Sequence, residues 1–277
     1  MNKTLDWFID SPIRFYLLAL LTLLPIVGIL DYYFIKDWSD VLVEVHGLIF
    51  DLLILGILFT IYSTIKERKD NSVKAENERQ LKVHRYQEEI DDFRDWNDQE
   101  AMFRIAGNIK RLNSLGVTNI NLYNCKLKNI KLRSAELIDS NLSGADLGKG
   151  YLRNINLTDS ILIRVYFGDV NLRGATLLNV NLERARLERA NMVGVNMQNS
   201  NCEKTLFYDT NLQSADMRNC DFKNSDFTGT ILSSAKLYGA KNLTVDQLLK
   251  AKSLKSIGIE PNILHEIQMR NPSLLHV

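Results

Sequence analysis

Hydrophobic and polar positions follow three different rules along this chain. From Phe15 to Phe34 (FYLLALLTLLPIVGILDYYF) there are 20 residues with a single charge, Asp31, near the end. About 20 apolar residues carry a helix across a ~30 Å hydrocarbon core, so this run predicts a membrane span. Val45 to Ile65 predicts a second, with His46 and Asp51 inside it. Trp7, Phe8, Tyr32, Tyr33, Trp38 and Tyr62 fall near the span ends, where an aromatic belt sits. A cleaved signal peptide fits less well, because Lys3 stands far ahead of the apolar run and no small-residue cleavage site follows.

Past Ile65 the chain turns polar. Lys66 to Trp96 has no Gly or Pro, and Val83, Tyr86, Ile90 and Phe93 form a narrow apolar seam at 3-4-3 spacing. The seam covers about one and a half heptads, so a self-associating, coiled-coil stalk and a stalk folded back on the chain both fit it. Asn97 or Asp98 then offers the N-cap of a further helix, with Met102, Ile105, Ile109 and Leu112 in one stripe and Gly116 past its end. That helix is placed to cover the open end of whatever follows.

From Val117 to Ala240 the period is five, which fits neither helix nor plain strand. Stepping by five from Leu122 to Leu237 meets 24 residues, all apolar. At 45% apolar residues overall, chance gives this on the order of 10⁻⁸. Two residues before each stands a small or β-branched residue (Ala135, Ala145, Ala175, Ala185), often followed by Asn or Asp (Asn141, Asp146, Asn171, Asn181). The unit A-(N/D)-L-x-x resembles the pentapeptide-repeat family, whose pattern is A(D/N)LXX.

The resemblance implies an all-β, right-handed quadrilateral β-helix with one pentad per side and four per coil. Residues 20 apart would then stack at about 4.8 Å, with Phe167, Leu187, Phe207 and Phe227 in one internal column and Cys202 under Phe222. Cys125 and Cys220 take the small inward position, so all three cysteines read as core residues. At the far end Thr244 and Gln247 have capping-box spacing and predict a helix through Leu248, Leu249 and Leu254. A short helix over Ile263 to Met269 and a frayed Asn271 to Val277 complete the reading. The expected organisation is a two-span anchor (1–65), a charged stalk (66–97), a capping helix (98–116), the β-helix (117–240), and a helical cap with tail (241–277).

Charge adds orientation. The total is nearly balanced, 34 basic against 33 acidic, so no bulk signal points to nucleic acid. Lys3 and Arg14 precede the first span, and Lys66, Arg68 and Lys69 follow the second. The loop between holds Lys36 beside Asp37, Asp40 and Glu44. The positive-inside rule predicts a multi-pass cell-membrane protein with both termini cytoplasmic, and unpaired cysteines fit a reducing compartment.

Candidate sites lie on the outside of the rod and inside the spans. Arg133, Arg153 and Arg173 fall in one stacked column with Lys131 and Tyr151 beside them, which suits an anionic partner or a solvated face balanced by nearby Asp. Ile161, Ile163 and Tyr166 near one corner, Leu206 and Tyr208 two coils along, and Ile138 with Leu178 on another side are outward apolar groups. They fit a protein interface or a surface covered by the stalk. Asp31, His46 and Asp51 either line a polar path or protomer contact, or reach headgroup water and pair locally.

No catalytic set, metal-ligand spacing or cofactor motif is present, and His84 and His265 have no partner pattern. The expectation is a non-enzymatic, membrane-anchored scaffold presenting the β-helix to a cytoplasmic protein, with homo-oligomerisation open. The alternative is an oligomeric, channel-like membrane effector working through the polar residues of its spans. Topoisomerase protection by DNA mimicry, which the resemblance also brings in, fits poorly. The repeats carry 15 Lys plus Arg against 12 Asp plus Glu, and a mimic of DNA is acidic.

Overall fold

The computed structural model describes residues 39–276 together with Pro25, Ile26, Ile29, Tyr32 and Tyr33. Most of the first expected span, including Asp31, lies outside the described residues, as do Lys3, Arg14 and Lys36. The chain forms two compact units, Met1–Glu78 and Arg79–Val277.

Helix α1, Ser39–Asp92, runs 54 residues without a break. It begins before the expected span and continues through the polar segment, because nothing from Ser39 to Asp92 is a helix breaker of the Pro class. Among the described residues it is the one helix long and apolar enough to cross a membrane. Within the first unit Leu48, Phe50, Leu52, Leu55, Leu58, Phe59 and Tyr62 are all exposed. The hydroxyls here are satisfied inside the helix: Thr60 Oγ1 donates to the Gly56 carbonyl at 2.8 Å and Thr64 Oγ1 to that of Thr60 at 2.8 Å.

The second unit opens with the seam. Ile90 is fully buried in the core, and Val83, Tyr86 and Phe93 pack half-buried against it. The fold-back alternative is therefore the observed one, and the seam is spent within the chain rather than left for a coiled coil. Arg79 secures it by donating from Nε and Nη2 to the Leu115 carbonyl, at 3.1 and 2.8 Å. Asp98 is the N-cap of α2, Gln99–Ser114, accepting from Ala101 N–H at 2.8 Å. Its buried face is Ala101, Ile105, Ala106, Asn108, Ile109 and Leu112; Met102 stays half-exposed. Gly116 at φ +75° ends α2, letting Val117 N–H reach the Leu112 carbonyl at 2.9 Å.

The repeats close into coils of 20 residues, each side joined to the next coil by parallel bridges such as Asn121↔Asn141 and Lys126↔Asp146. Four of the five backbone N–H groups of a pentad find backbone carbonyls. In the pentad around Leu142, Asn141 N–H goes back to Ile120, Leu142 on to Ile161, Gly144 on to Ile163, and Ala145 closes the turn on Leu142. The fifth, on Ser143, is met by the Asn141 side chain at 3.1 Å. The same Asx bond recurs at Asp146, Asn171, Asn181, Asn211 and Asp226. This is the physical reason the repeat favours Asn or Asp there: the pattern completes the backbone's hydrogen bonding.

The last residue of each pentad has φ near +60°, in the left-handed region. Sixteen of these 24 positions are Asn, Asp or Gly, and none is β-branched or aromatic. Inward, the central apolar residues are 0–1% exposed. Phe207 stacks on Phe227 with centroids 5.1 Å apart and rings 3° from parallel, and Phe222 meets Phe227 edge-on at 5.3 Å. Buried hydroxyls at the small inward position donate to the coil before: Ser160 to Leu137, Thr210 to Leu187 and Thr230 to Phe207, at 2.6–2.7 Å.

The C-terminal end departs from expectation. The Thr244–Gln247 capping box is formed, but α3 is only Val245–Leu248. The chain then rejoins the stack, with Ser253 bridging Ile231 and Gly258 bridging Lys236. The offset is 22 rather than 20, because α3 absorbs two extra residues, and this hides the coil from a strict five-residue count. Leu254, Ile257 and Ile259 refill the inward positions, all buried. Helix α4, Pro261–Arg270, covers this end through Ile267. The tail is not frayed where described: Leu274 is buried and its carbonyl accepts from Leu254 N–H at 2.8 Å.

Candidate interaction surface

The β-helix has four sides, named here by their first central residue: Leu122 (side 1), Leu127 (side 2), Leu132 (side 3) and Leu137 (side 4). On side 3, Ser134 N–H donates to the Arg153 carbonyl at 3.0 Å and Asn154 N–H to that of Arg173 at 3.1 Å, so the three arginines occupy consecutive coils. All are exposed, as are Lys131 and Tyr151, the latter 57%. Among the described residues none of these four cations has a carboxylate within ion-pairing distance.

The contrast with the other sides is sharp. Arg189 on side 2 holds Asp169 with two bonds of 2.7 and 2.8 Å, which pulls that carboxyl below its usual range. On side 4 Arg218 does the same to Asp216, and on side 1 Lys204 and Glu203 pair at 2.9 Å. Sorting the 15 basic and 12 acidic repeat residues by side gives four basic and no acidic on side 3, and two against four on side 4. Sides 1 and 2 are nearly balanced. The expected balancing Asp is thus absent from side 3.

The apolar candidates do not join this patch. Ile161, 44% exposed, and half-buried Ile163 lie on side 1. Tyr166 opens side 2 but is largely spent internally. Its ring lies on Gly148 and Gly168, where an added Cβ would sit 2.6 and 2.4 Å from it, and the Arg186 guanidinium covers it at 5.0 Å. Leu206 and Tyr208, 38% and 45% exposed, lie two coils further along side 2. Ile138 and Leu178 are half-buried on side 4. His46 and Asp51 are exposed on α1, and Asp31 lies outside the described residues.

The acid-free character of side 3 is a signal that sorting the sequence into columns of 20 would have revealed. The Arg186–Tyr166–glycine stack carries none, since it depends on ring orientation. The cysteines are all free and buried. Burial pushes the Cys125 thiol up to about 12 and that of Cys202 upward as well. No group of His, Cys, Asp and Glu among the described residues is arranged to hold a metal ion.

Comparison with known families matches eight copies of Pentapeptide repeats, over residues 118–154, 151–189, 166–201 and 205–241. Similar solved structures include a pentapeptide repeat protein, Rfr23, from the cyanobacterium Cyanothece 51142, at 20% identity over 56% of this chain and 99% of that one, TM-score 0.27. HetL, involved in heterocyst differentiation regulation in Nostoc sp. strain PCC 7120, is 19% identical over 55% and 95%, TM-score 0.18. QnrB1, a plasmid-mediated fluoroquinolone resistance protein, is 12% identical over 52% and 91%, TM-score 0.25. None of the curated proteins compared with the chain matches it. The region between residues 118 and 241 is thus built of pentapeptide repeats.

Proposed function

We propose that the chain is a non-enzymatic interaction scaffold, held in a membrane by its N-terminal region and presenting the β-helix to a cytoplasmic protein. The observation that carries this reading is the exposed apolar stretch of α1, from Leu48 to Ile65, in the same chain as a β-helix covered at both ends. Water would leave those leucines and phenylalanines unburied; a bilayer removes that cost. The interior of the repeats is filled by side chains, so binding falls to the outward positions. Ile161, Leu206 and Tyr208 supply the exposed apolar area for a partner on sides 1 and 2.

The test has two parts. After alkaline carbonate washing the full chain is expected in the membrane pellet, and release into the supernatant would end the anchoring claim. Photo-crosslinking from position 208 is expected to yield a discrete protein adduct that Leu206→Arg abolishes. No adduct, or one that Leu206→Arg leaves intact, would remove the partner surface from sides 1 and 2.

A further inference from the structure

Side 3 offers a chemistry different from the apolar area on sides 1 and 2. Lys131, Arg133, Arg153 and Arg173 stand in the first three coils with no acidic residue on that side from Lys131 to Ser234. Elsewhere on the rod four of the five arginines, Arg184, Arg186, Arg189 and Arg218, are drawn into ion pairs. Unpaired guanidinium groups one strand spacing apart, about 4.8 Å, repel one another until anions come between them. Tyr151 projects from the middle of the patch, 57% exposed, an aromatic with an apolar body and a polar tip.

We propose that side 3 is a lipid-facing surface that lies against the anionic headgroups of the bilayer in which the chain is held. The proposal rests on the membrane reading above. Three observations favour lipid over an acidic protein. The chain carries its own apolar helix of membrane-crossing length, so on the membrane reading the β-helix is tethered to a bilayer. Lys66, Arg68 and Lys69 directly follow the apolar stretch, the pattern of the leaflet side rich in anionic lipid. Arginine with tyrosine, and no carboxylate, is the composition that headgroups attract: phosphates meet the guanidinium groups while the ring settles at the headgroup level. An acidic protein face would need no such membrane proximity and no interfacial aromatic.

The native cysteines are all buried, so a single introduced cysteine reports on its own surroundings. The experiment uses the full chain in nanodiscs of phosphatidylcholine alone, or with about one third phosphatidylglycerol. Tyr151→Cys on side 3 and Lys223→Cys on side 1 are labelled with a membrane-impermeant maleimide. Labelling at 151 is expected to slow about tenfold with the anionic lipid, while 223 is unchanged. Protection should vanish in 0.5 M salt, where the screening length falls to roughly 4 Å, and in Tyr151→Cys combined with Arg153→Glu and Arg173→Glu. Equal rates at 151 in both lipids would overturn the proposal. So would slow labelling already present in phosphatidylcholine and resistant to salt, which would mean that a protein or a second copy covers the face. A chain that fails to stay in the disc would instead defeat the membrane reading itself.

Discussion

Phe207 is the most informative core position to perturb. Its ring is fully buried, stacked on Phe227 at 5.1 Å and set at 65° to Phe222 at 6.3 Å. Truncating a buried Phe to Ala costs about 3–5 kcal/mol, through lost transfer energy and the cavity left behind. The high end depends on how far the site can collapse. Here collapse is resisted by the inter-coil bonds Leu187 N–H to Leu206 and Phe207 N–H to Asp226, both 2.9 Å, which hold the walls one strand spacing apart. Two aromatic contacts are lost as well. Phe207→Ala should therefore cost about 4 kcal/mol, whereas Phe207→Leu, matching Leu187 in the same column, should cost about 1 kcal/mol. Hydrogen exchange on the full chain in detergent reads this locally. Amides of Leu187 and Phe207 should exchange several hundredfold faster in Phe207→Ala, at about 1.4 kcal/mol per tenfold. Amides of the first coil should change little, because stability in a stacked repeat is passed between neighbours. Less than tenfold acceleration would refute close packing of the interior, and equal acceleration in every coil would refute the nearest-neighbour picture.

Other positions test the remaining arguments. Asp146→Ala strands the buried Gly148 N–H, now bonded at 2.9 Å, and should cost about 1–3 kcal/mol by denaturant unfolding, while Asp146→Asn should be nearly neutral. Asp169, Glu203 and Asp216 are held below their usual range by Arg189, Lys204 and Arg218. Their contribution is full above the ordinary carboxyl range and is lost as pH falls through the lowered values. The melting temperature should thus be level above about pH 5 and decline below about pH 4, less steeply in Asp169→Asn. At pH 8 iodoacetamide should leave the three cysteines of the folded chain unmodified over a period that labels all three in denaturant. For Cys125 the burial-driven shift from 9.0 to about 12 removes roughly a thousandfold of thiolate before the loss of reagent access is counted. Mass shift of the intact protein measures it.

Much of the β-helix was legible because each pentad repeats one stereochemical problem. An inward Leu or Phe, a small residue behind it and an Asx between them recur without reference to anything far away. The legible information ran out where that local rule was interrupted. The two residues added by α3 moved Leu254, Ile257 and Ile259 out of the five-residue count, although they fill the same inward positions. The seam Val83–Phe93 could be recognised as apolar, but its spacing suits any hydrophobic surface, a second helix or the β-helix core alike.

The candidate surface divides in the same way. By itself the sequence determined the period of five, which local geometry multiplies along the chain; the coil of 20, and with it the stacking of Arg133, Arg153 and Arg173 and the burial of the cysteines, followed from the resemblance of its repeats to the pentapeptide-repeat family. Only the tertiary structure decided which of those outward groups are still available. It laid Tyr166 on Gly148 and Gly168 beneath Arg186, and tied Arg189 to Asp169. It docked Ile90 against the repeat core. Rotamers, ion pairs and docking depend on what the rest of the chain brings near, and a periodic pattern carries no record of that.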